Sequence, residues 1–281
     1  MQTYETITLT HGKASIYKDL PNRRLRIDEI NGSVDQVVRH VEEECRAGAY
    51  EKIIVKAKKV QCDSLTEQGY VREGRLSAYF NGSEAIWMSK FLTDERRNSL
   101  YWKKEDDILQ AIMKKKGGAV SPEPEIKVCG ESHAEQLADL YRAVFEVYPV
   151  PLHDPSYIRH SMENGTIFVC IEENGTIISA ASAEINFTLC NAELTDCATS
   201  PSHRKGGHMK HLLLRLEREL VDRKVFCSYT IARSLSPGMN AAFWQLGYRY
   251  MGRLANNCII FDKMEDMNIW EKDLSRDGVQ V

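Results

Sequence analysis

Apolar residues recur at helical spacing over positions 34–47 and again over 134–145, where Leu137, Leu140, Tyr141 and Val144 form one stripe. Between these stripes, 52–56 and 76–80 have the β-rich composition of strands. A charged helical stretch over 101–116 runs into Gly117-Gly118 and the Pro122–Pro124 segment, which ends a helix and suits an exposed linker. Downstream, 167–172 and 176–185 read as strands flanking Asn174-Gly175, a dipeptide suited to a tight hairpin turn. A third strand is expected over 193–199. A basic, glycine-containing loop follows, then a helix over 209–223 with Leu212, Leu213, Leu216 and Leu220 on its buried face. A strand at 225–232, a short helix at 239–246 and a final pair of strands within 248–261 complete the pattern. The pattern predicts an α/β (α+β) protein: an N-terminal domain over 1–118, a linker over 119–125, a second domain over 126–270 and a tail over 271–281.

Composition narrows the function classes. Lys+Arg 37 against Asp+Glu 40 leaves a net charge of -3, without the broad positive field of a nucleic-acid or anionic-membrane binder. No apolar run reaches the ~18 residues of a membrane span, and the first residues are too polar for a signal peptide, so a cytoplasmic location is expected. The eight cysteines contain no C-x-x-C pair and read as reduced thiols. Cys197, His203, His208 and His211 match no standard zinc spacing, so no metal is expected.

One pattern occurs twice. Gly69-Tyr70-x-x-x-Gly74-Arg75-Leu76 returns as Gly247-Tyr248-x-x-x-Gly252-Arg253-Leu254, with a strand-like segment before each copy. Residues 50–92 are therefore expected to be built like the closing half of the second domain.

The chemistry concentrates at Arg204-Lys205-Gly206-Gly207-His208. A glycine-rich turn opening a helix presents successive backbone N–H groups at the positive end of the helix dipole, which suits a phosphate or pyrophosphate. The turn lacks both the Gly-Lys-[Ser/Thr] ending of a P-loop and the G-x-G-x-x-G of a dinucleotide site. Pro201, Arg204 and Gly207 fall as P-x-x-R-x-x-G after a strand and before a Leu-rich helix. Here the segment resembles motif A of the GNAT superfamily of acetyl-CoA-dependent N-acyltransferases, with Met209 in place of the usual last small residue. Asn240-Ala241-Ala242-Phe243-Trp244-Gln245-Leu246-Gly247-Tyr248 resembles the segment that family places beside the pantetheine arm.

Over about residues 126–262 the resemblance implies the GNAT fold: a mixed, mostly antiparallel sheet with splayed strands, preceded by a smaller domain like a partial GNAT unit. It further implies acetyl-CoA as co-substrate, its pyrophosphate at Arg204, Lys205, Gly206, Gly207, His208 and Met209. The pantetheine would pair with the backbone of Cys197, Ala198 and Thr199 and lie beside Asn240 and Phe243. Direct transfer needs a neutral amine, so a base or water chain must take a proton; the family places such a base at the position of Glu193, with Glu184 second. By strand parity Asp196 faces away from Glu193. Phe243 stands where the family often has a proton-donating tyrosine, which leaves Tyr229, Tyr248 or water for the thiolate.

The aromatic, Pro-rich stretch from Tyr141 to Tyr157 resembles β-lysine N-acetyltransferases, which acetylate the 6-amino group of β-lysine to give a compatible solute. That resemblance implies Tyr148, Asp154 and Glu184 at the substrate's ammonium end and Arg159 at its carboxylate. Two alternatives stay open: another amine acceptor (a polyamine, an amino acid or a protein amine), and a non-catalytic module that binds acyl-CoA. The partners expected are a small-molecule amine, no nucleic acid and no membrane. For the first domain, either a wall of the acceptor pocket or a second copy in a homodimer is open.

Overall fold

The structure, a computed structural model, describes residues 2–114, 124–146, 148–204 and 206–275. Residues 119–123 of the expected linker, 276–281 of the expected tail, and Lys205 lie outside them. The elements begin with β1 (Gln2–Leu9), β2 (Gly12–Asp19), β3 (Arg24–Gly32), α1 (Val34–Ala47), β4 (Lys52–Ala57), α2 (Cys62–Glu67), β5 (Val71–Phe80), β6 (Ser83–Phe91), α3 (Asp94–Arg97) and α4 (Trp102–Met113). They continue with β7 (Lys127–Val128), α5 (Ala134–Val144), α6 (Pro155–Glu163), β8 (Ile167–Glu173), β9 (Thr176–Asn186), β10 (Asn191–Thr199), α7 (His208–Asp222), β11 (Cys227–Arg233), α8 (Pro237–Gln245), β12 (Arg249–Ile260) and β13 (Lys263–Asp273).

Two compact units result, and they are not divided by a single cut near position 118. The first takes Met1–Asp107 together with Arg233–Leu235 and Met251–Ile269; the second takes Ile108–Ala232, Ser236–Tyr250 and Trp270–Val281. The reason lies in β12, which joins the first unit's sheet by pairing antiparallel with β5 at Gly252↔Gly74. The pair of strands expected within 248–261 is a single strand there, β12, and β13 lies wholly beyond it at Lys263–Asp273, in a charged sequence that conceals a buried strand. All eight cysteines are free thiols. No helix among the described residues is long and apolar enough to cross a membrane.

In the first unit the strand order is β1-β2-β3-β4-β6-β5-β12. Helix α1 starts on Ser33, whose side chain accepts from the Gln36 N–H, and buries Val37, Val38, Val41 and Cys45. These pack on Ile16, Leu25, Ile27, Ile53 and Val55. A buried ion pair fastens the same sheet: Lys52 Nζ lies 2.7 Å from Glu73 Oε2 and also donates to the Ala255 carbonyl at 2.8 Å. Glu73 Oε1 accepts from the Ala255 N–H at 2.6 Å. One residue thus anchors β4, β5 and β12.

In the second unit the order runs β11-β10-β9-β8-β7. Asn174 and Gly175 both have positive φ, as a primed hairpin turn between β8 and β9 requires. One face carries α7, whose Leu212, Leu213, Leu216 and Leu220 pack on Ala181, Ala183, Ala192 and Leu194. The other carries α5 and α6, with Leu137, Tyr141 and Ile158 against Phe168, Cys170 and Ala180.

The sequence echo is a structural one and is longer than the motif. Gly69 and Gly247 both have φ of +85°, and each following tyrosine returns its N–H to a carbonyl five residues back, Tyr70 to Leu65 and Tyr248 to Phe243, at 3.0 Å in both cases. Both helices therefore end in the same glycine-closed turn. The order β4-α2-β5-β6 repeats as β11-α8-β12-β13, and upstream β2-β3-α1 repeats as β9-β10-α7, with an antiparallel pair and then a parallel one in each case.

A β-carbon at Gly252 would run into the Glu73 carbonyl at a φ of +144°, whereas at Gly69 it would meet nothing within 4 Å. Gly252→Ala should cost about 2–4 kcal/mol in urea unfolding and Gly69→Ala only about 1. Glu105, fully buried, has its carboxyl pushed up to about 8 by burial and then by the Asp266 carboxylate, with Arg253 Nη1 at 3.5 Å. Because the folded protein keeps this proton where the unfolded chain has lost it, stability should fall as pH rises from about 4.5 to 8. In Glu105→Gln the drop in melting temperature between pH 6 and pH 9 should shrink.

Candidate active site

The site grows from one residue of β10. The strand pairs with β9 in regular antiparallel register from Asn191 to Thr195, breaks, and resumes at Ala198↔Ala180. Asp196 sits in the break with a φ of +50°. This bulge bends the strand. On the other side, the parallel ladder with β11 runs only from Asn191↔Cys227 to Glu193↔Tyr229. Past Glu193 the two strands no longer pair among the described residues, which leaves the β11 side of Cys197, Ala198 and Thr199 without a strand partner there. Ala198 and Thr199 keep their β9 partners, reinforced by Ser179 Oγ on the Ala198 carbonyl at 3.1 Å and on Thr199 Oγ1 at 2.7 Å.

At the end of β10 the chain makes a short 3-10 turn, Pro201–His203, and enters α7 through Arg204, Gly206 and Gly207. Gly207 is the N-cap, left-handed at φ +77°, and no side chain caps the helix. The leading N–H groups of a 15-residue helix therefore have no side-chain acceptor. Arg204 is exposed, its Nε 3.4 Å from the Thr199 carbonyl. The His208 ring lies against Gly206, where a β-carbon would come within 2.7 Å of it. Met209 is partly buried and packs against the core.

Glu193 faces Glu184 directly across β9 and Tyr229 across β11. Directly opposed residues share a face, so two carboxylates and a phenol form a row where the strands part. Ser182, two residues along β9, shares that face. The expected parity of Asp196 is overturned here: the bulge swings its carboxylate onto the same face, where Oδ2 accepts from Ser182 Oγ at 2.6 Å and Oδ1 from the Tyr148 hydroxyl at 3.0 Å. Tyr148 stacks on Phe145 at 4.4 Å, and Phe145 on Tyr141.

The other expected substrate contacts do not join this group. Asp154 is the N-cap of α6, accepting from the Ser156 N–H at 2.8 Å. The signal was present in the sequence, since Asp before Pro-Ser is a helix-start pattern. Arg159 is paired with Glu135 of α5. Asn240 is fully buried, its Oδ1 accepting from Trp270 Nε1 at 2.8 Å and its Nδ2 donating to the Ser236 carbonyl at 2.7 Å, so both ends of the amide are engaged in the fold. Phe243 packs edge-on against Tyr248 in the core at 5.1 Å. The Tyr248 hydroxyl is buried on Ser228 Oγ at 2.7 Å, and burial holds its phenol well above the usual range. Among the described residues no group of His, Cys, Asp and Glu could hold a metal.

The sequence profile of the Acetyltransferase (GNAT) family matches residues 134–248. A β-lysine N(6)-acetyltransferase of Methanococcus maripaludis is 34% identical over 257 residues, covering 89% of this chain and 93% of its own. The chain belongs to the GNAT acetyltransferase family. A β-lysine N(6)-acetyltransferase of Methanosarcina mazei is 37% identical, over 78% of this chain and 90% of its own. The N-acetyltransferase YodP of Bacillus subtilis is 35% identical, over 90% and 93%. The protein is thus an N-acetyltransferase with the GNAT fold, and the family's co-substrate is acetyl-CoA. Two features of the chain fit that molecule: the uncapped, glycine-led start of α7 suits a pyrophosphate, and the open edge of β10 suits the amides of a pantetheine arm.

If Asn240 serves mainly to hold Trp270, Asn240→Ala should lower unfolding stability by about 1–3 kcal/mol, because it orphans a buried indole N–H. Denaturant titration checks this. Unchanged stability with a raised KM for acetyl-CoA would identify a cofactor contact instead.

Proposed function

We propose that the protein transfers the acetyl group of acetyl-CoA to the 6-amino group of β-lysine. The observation that carries this reading is that two relatives bearing that activity in their names align at 34% and 37% identity over at least 90% of their own lengths, first unit included. The product suits a compatible solute. Acetylation removes one ammonium from a singly cationic diamino acid and leaves a zwitterion without net charge.

When bound, acetyl-CoA supplies an activated thioester. The chain's own residues do the rest. The N–H groups from Gly206 to Met209, with Arg204 beside them, hold the pyrophosphate. The open edge of Cys197 to Thr199 holds the pantetheine amides, which directs the thioester into the gap beyond Glu193. Glu193 takes the proton that the incoming amine must lose, directly or through water. Glu184 across the strand raises the local demand for a cation. Tyr229, opposite Glu193, is the phenol at hand to protonate the departing thiolate.

Incubation with acetyl-CoA and β-lysine, α-lysine, spermidine or a lysine peptide, followed by thiol release, should show β-lysine preferred, with the acetyl group on the 6-nitrogen by NMR. Preference for the peptide would defeat the reading. Glu193→Gln should lower kcat about 10²–10³-fold while acetyl-CoA affinity stays unchanged.

A further inference from the structure

Four buried carboxylates of the chain have a cation at hand: Asp19 has Arg24 at 2.9 Å, Glu73 has Lys52 at 2.7 Å, Glu217 has Lys272 at 2.8 Å and Glu265 has Arg233 at 2.8 Å. Two buried aspartates have no ion pair among the described residues: Asp266, which accepts from the Asn256 N–H and lies beside the Glu105 carboxyl, and Asp196 of the candidate site. Asp196 is only 4% exposed, and its partners among the described residues are two hydroxyls, of Ser182 and Tyr148. Burial raises its carboxyl above the usual range, and those hydrogen bonds draw it back. An anion so placed has no countercharge among the described residues, unlike Asp19, Glu73, Glu217 and Glu265.

Beside it is an independent oddity. Tyr141, 1% exposed, has a hydroxyl with no hydrogen-bond partner among the described residues. Burial and then the Asp196 carboxylate push its phenol well above the usual range, so that hydroxyl and that carboxylate are electrostatic neighbours. A buried, unpaired hydroxyl costs about 1–3 kcal/mol, and phenylalanine would fit the same stack without it.

A group that satisfies both residues must be cationic, small and rich in N–H donors. The chain displays this chemistry with its own lysine in the first unit: Lys56 Nζ lies 2.9 Å from Asp28 Oδ1 and 2.7 Å from the Tyr79 hydroxyl. We propose that Asp196, Tyr148 and Tyr141, with Ser182 fixing the carboxylate, form a subsite for an aliphatic primary ammonium of the acceptor. The subsite rests on the acetyltransferase reading, and it deepens that reading by naming the residues that select a cationic acceptor. Asp196 is a binding residue here and not the base.

The test uses the full-length enzyme saturated with CoA, into which β-lysine or hexylamine, a probe with one ammonium and no carboxylate, is titrated calorimetrically. Asp196→Asn keeps the size of the side chain and its tolerance of a left-handed backbone. It should weaken binding of whichever amine the wild type takes by at least about tenfold, with CoA affinity within twofold. Tyr141→Phe should also weaken amine binding, by about threefold or more, while its melting temperature holds or rises. Amine affinity unchanged in both variants overturns the subsite. So does parallel loss of melting temperature and CoA affinity in Asp196→Asn, which would mark a structural lock on the bulge, and so does a wild type that binds neither amine. If hexylamine binds in an Asp196-dependent way and β-lysine is not acetylated, the subsite stands and the β-lysine assignment falls.

Discussion

The second unit's chemistry depends on a single left-handed residue. Asp196 interrupts β10 with a φ of +50°, and three consequences follow from that one torsion. The strand bends so that its ladder with β11 ends at Glu193. The backbone beyond is left with unpaired groups on one side, which in a sheet interior is a cost unless something else pairs there. The carboxylate itself is moved to the face of Glu184 and Glu193. Aspartate tolerates the left-handed region better than most residues, so the position that opens the cleft is also one that can carry a charge into it.

The repeated architecture supplies a control within the chain. In the first copy β3 and β4 pair from Arg24↔Lys52 to Ile27↔Val55, and the next residues out, Asp28 and Lys56, are closed by an ion pair. The connection into α1 is Ser33 alone between Gly32 and Val34, and its side chain caps the helix. The first copy has spent on itself the two features that the second leaves open, a helix N-terminus and a carboxylate between parting strands. The same topology therefore closes on itself in one copy and in the other leaves a helix start and two parting strands open. The difference lies in a few residues at the strand ends and not in the fold.

The legible parts of the molecule were those set by local pattern. The Leu-rich stripe of α7, the Asn174-Gly175 turn and the Gly-Tyr echo depend on periodicity or on glycine conformation, and both show in a single sequence. The first three strands went unread because their buried positions alternate with charged ones across a half-exposed sheet, as in Lys13, Lys18, Arg24 and Arg26. β13 was hidden because Glu265, Asp266, Asn268 and Glu271 are buried polar residues whose partners are distant in sequence. The site failed in a different way. Asp196 obeys parity until a bulge breaks it, and a bulge has no reliable sequence mark. Asn240 is expected at the cofactor from the resemblance of its segment and Arg159 at the substrate from its charge, but neither a motif nor a residue type tells that Trp270 and Glu135 are partners of these side chains in the fold. Tyr141 was counted in an apolar stripe, which is correct for its ring and silent about its hydroxyl.

Recognition and reaction place opposed demands on an amine. A buried carboxylate that binds an ammonium also raises its pKa, and the charged form cannot attack a thioester. One group therefore serves poorly as both anchor and base. In the roles proposed above the two are separated along β10: Asp196 is deep and hydrogen-bonded, whereas Glu193 is half-buried where the strands part. Two residues of strand lie between them, three steps of ~3.3 Å or at most about 10 Å, and the bulge brings both onto the same face. A flexible acceptor with two amino groups can span such a distance, one end held charged while the other gives up its proton. An acceptor with a single amine would have to leave the anchor in order to react. The spacing of anchor and base is thus a physical reason for this site to favour a diamine, independent of the names its relatives carry.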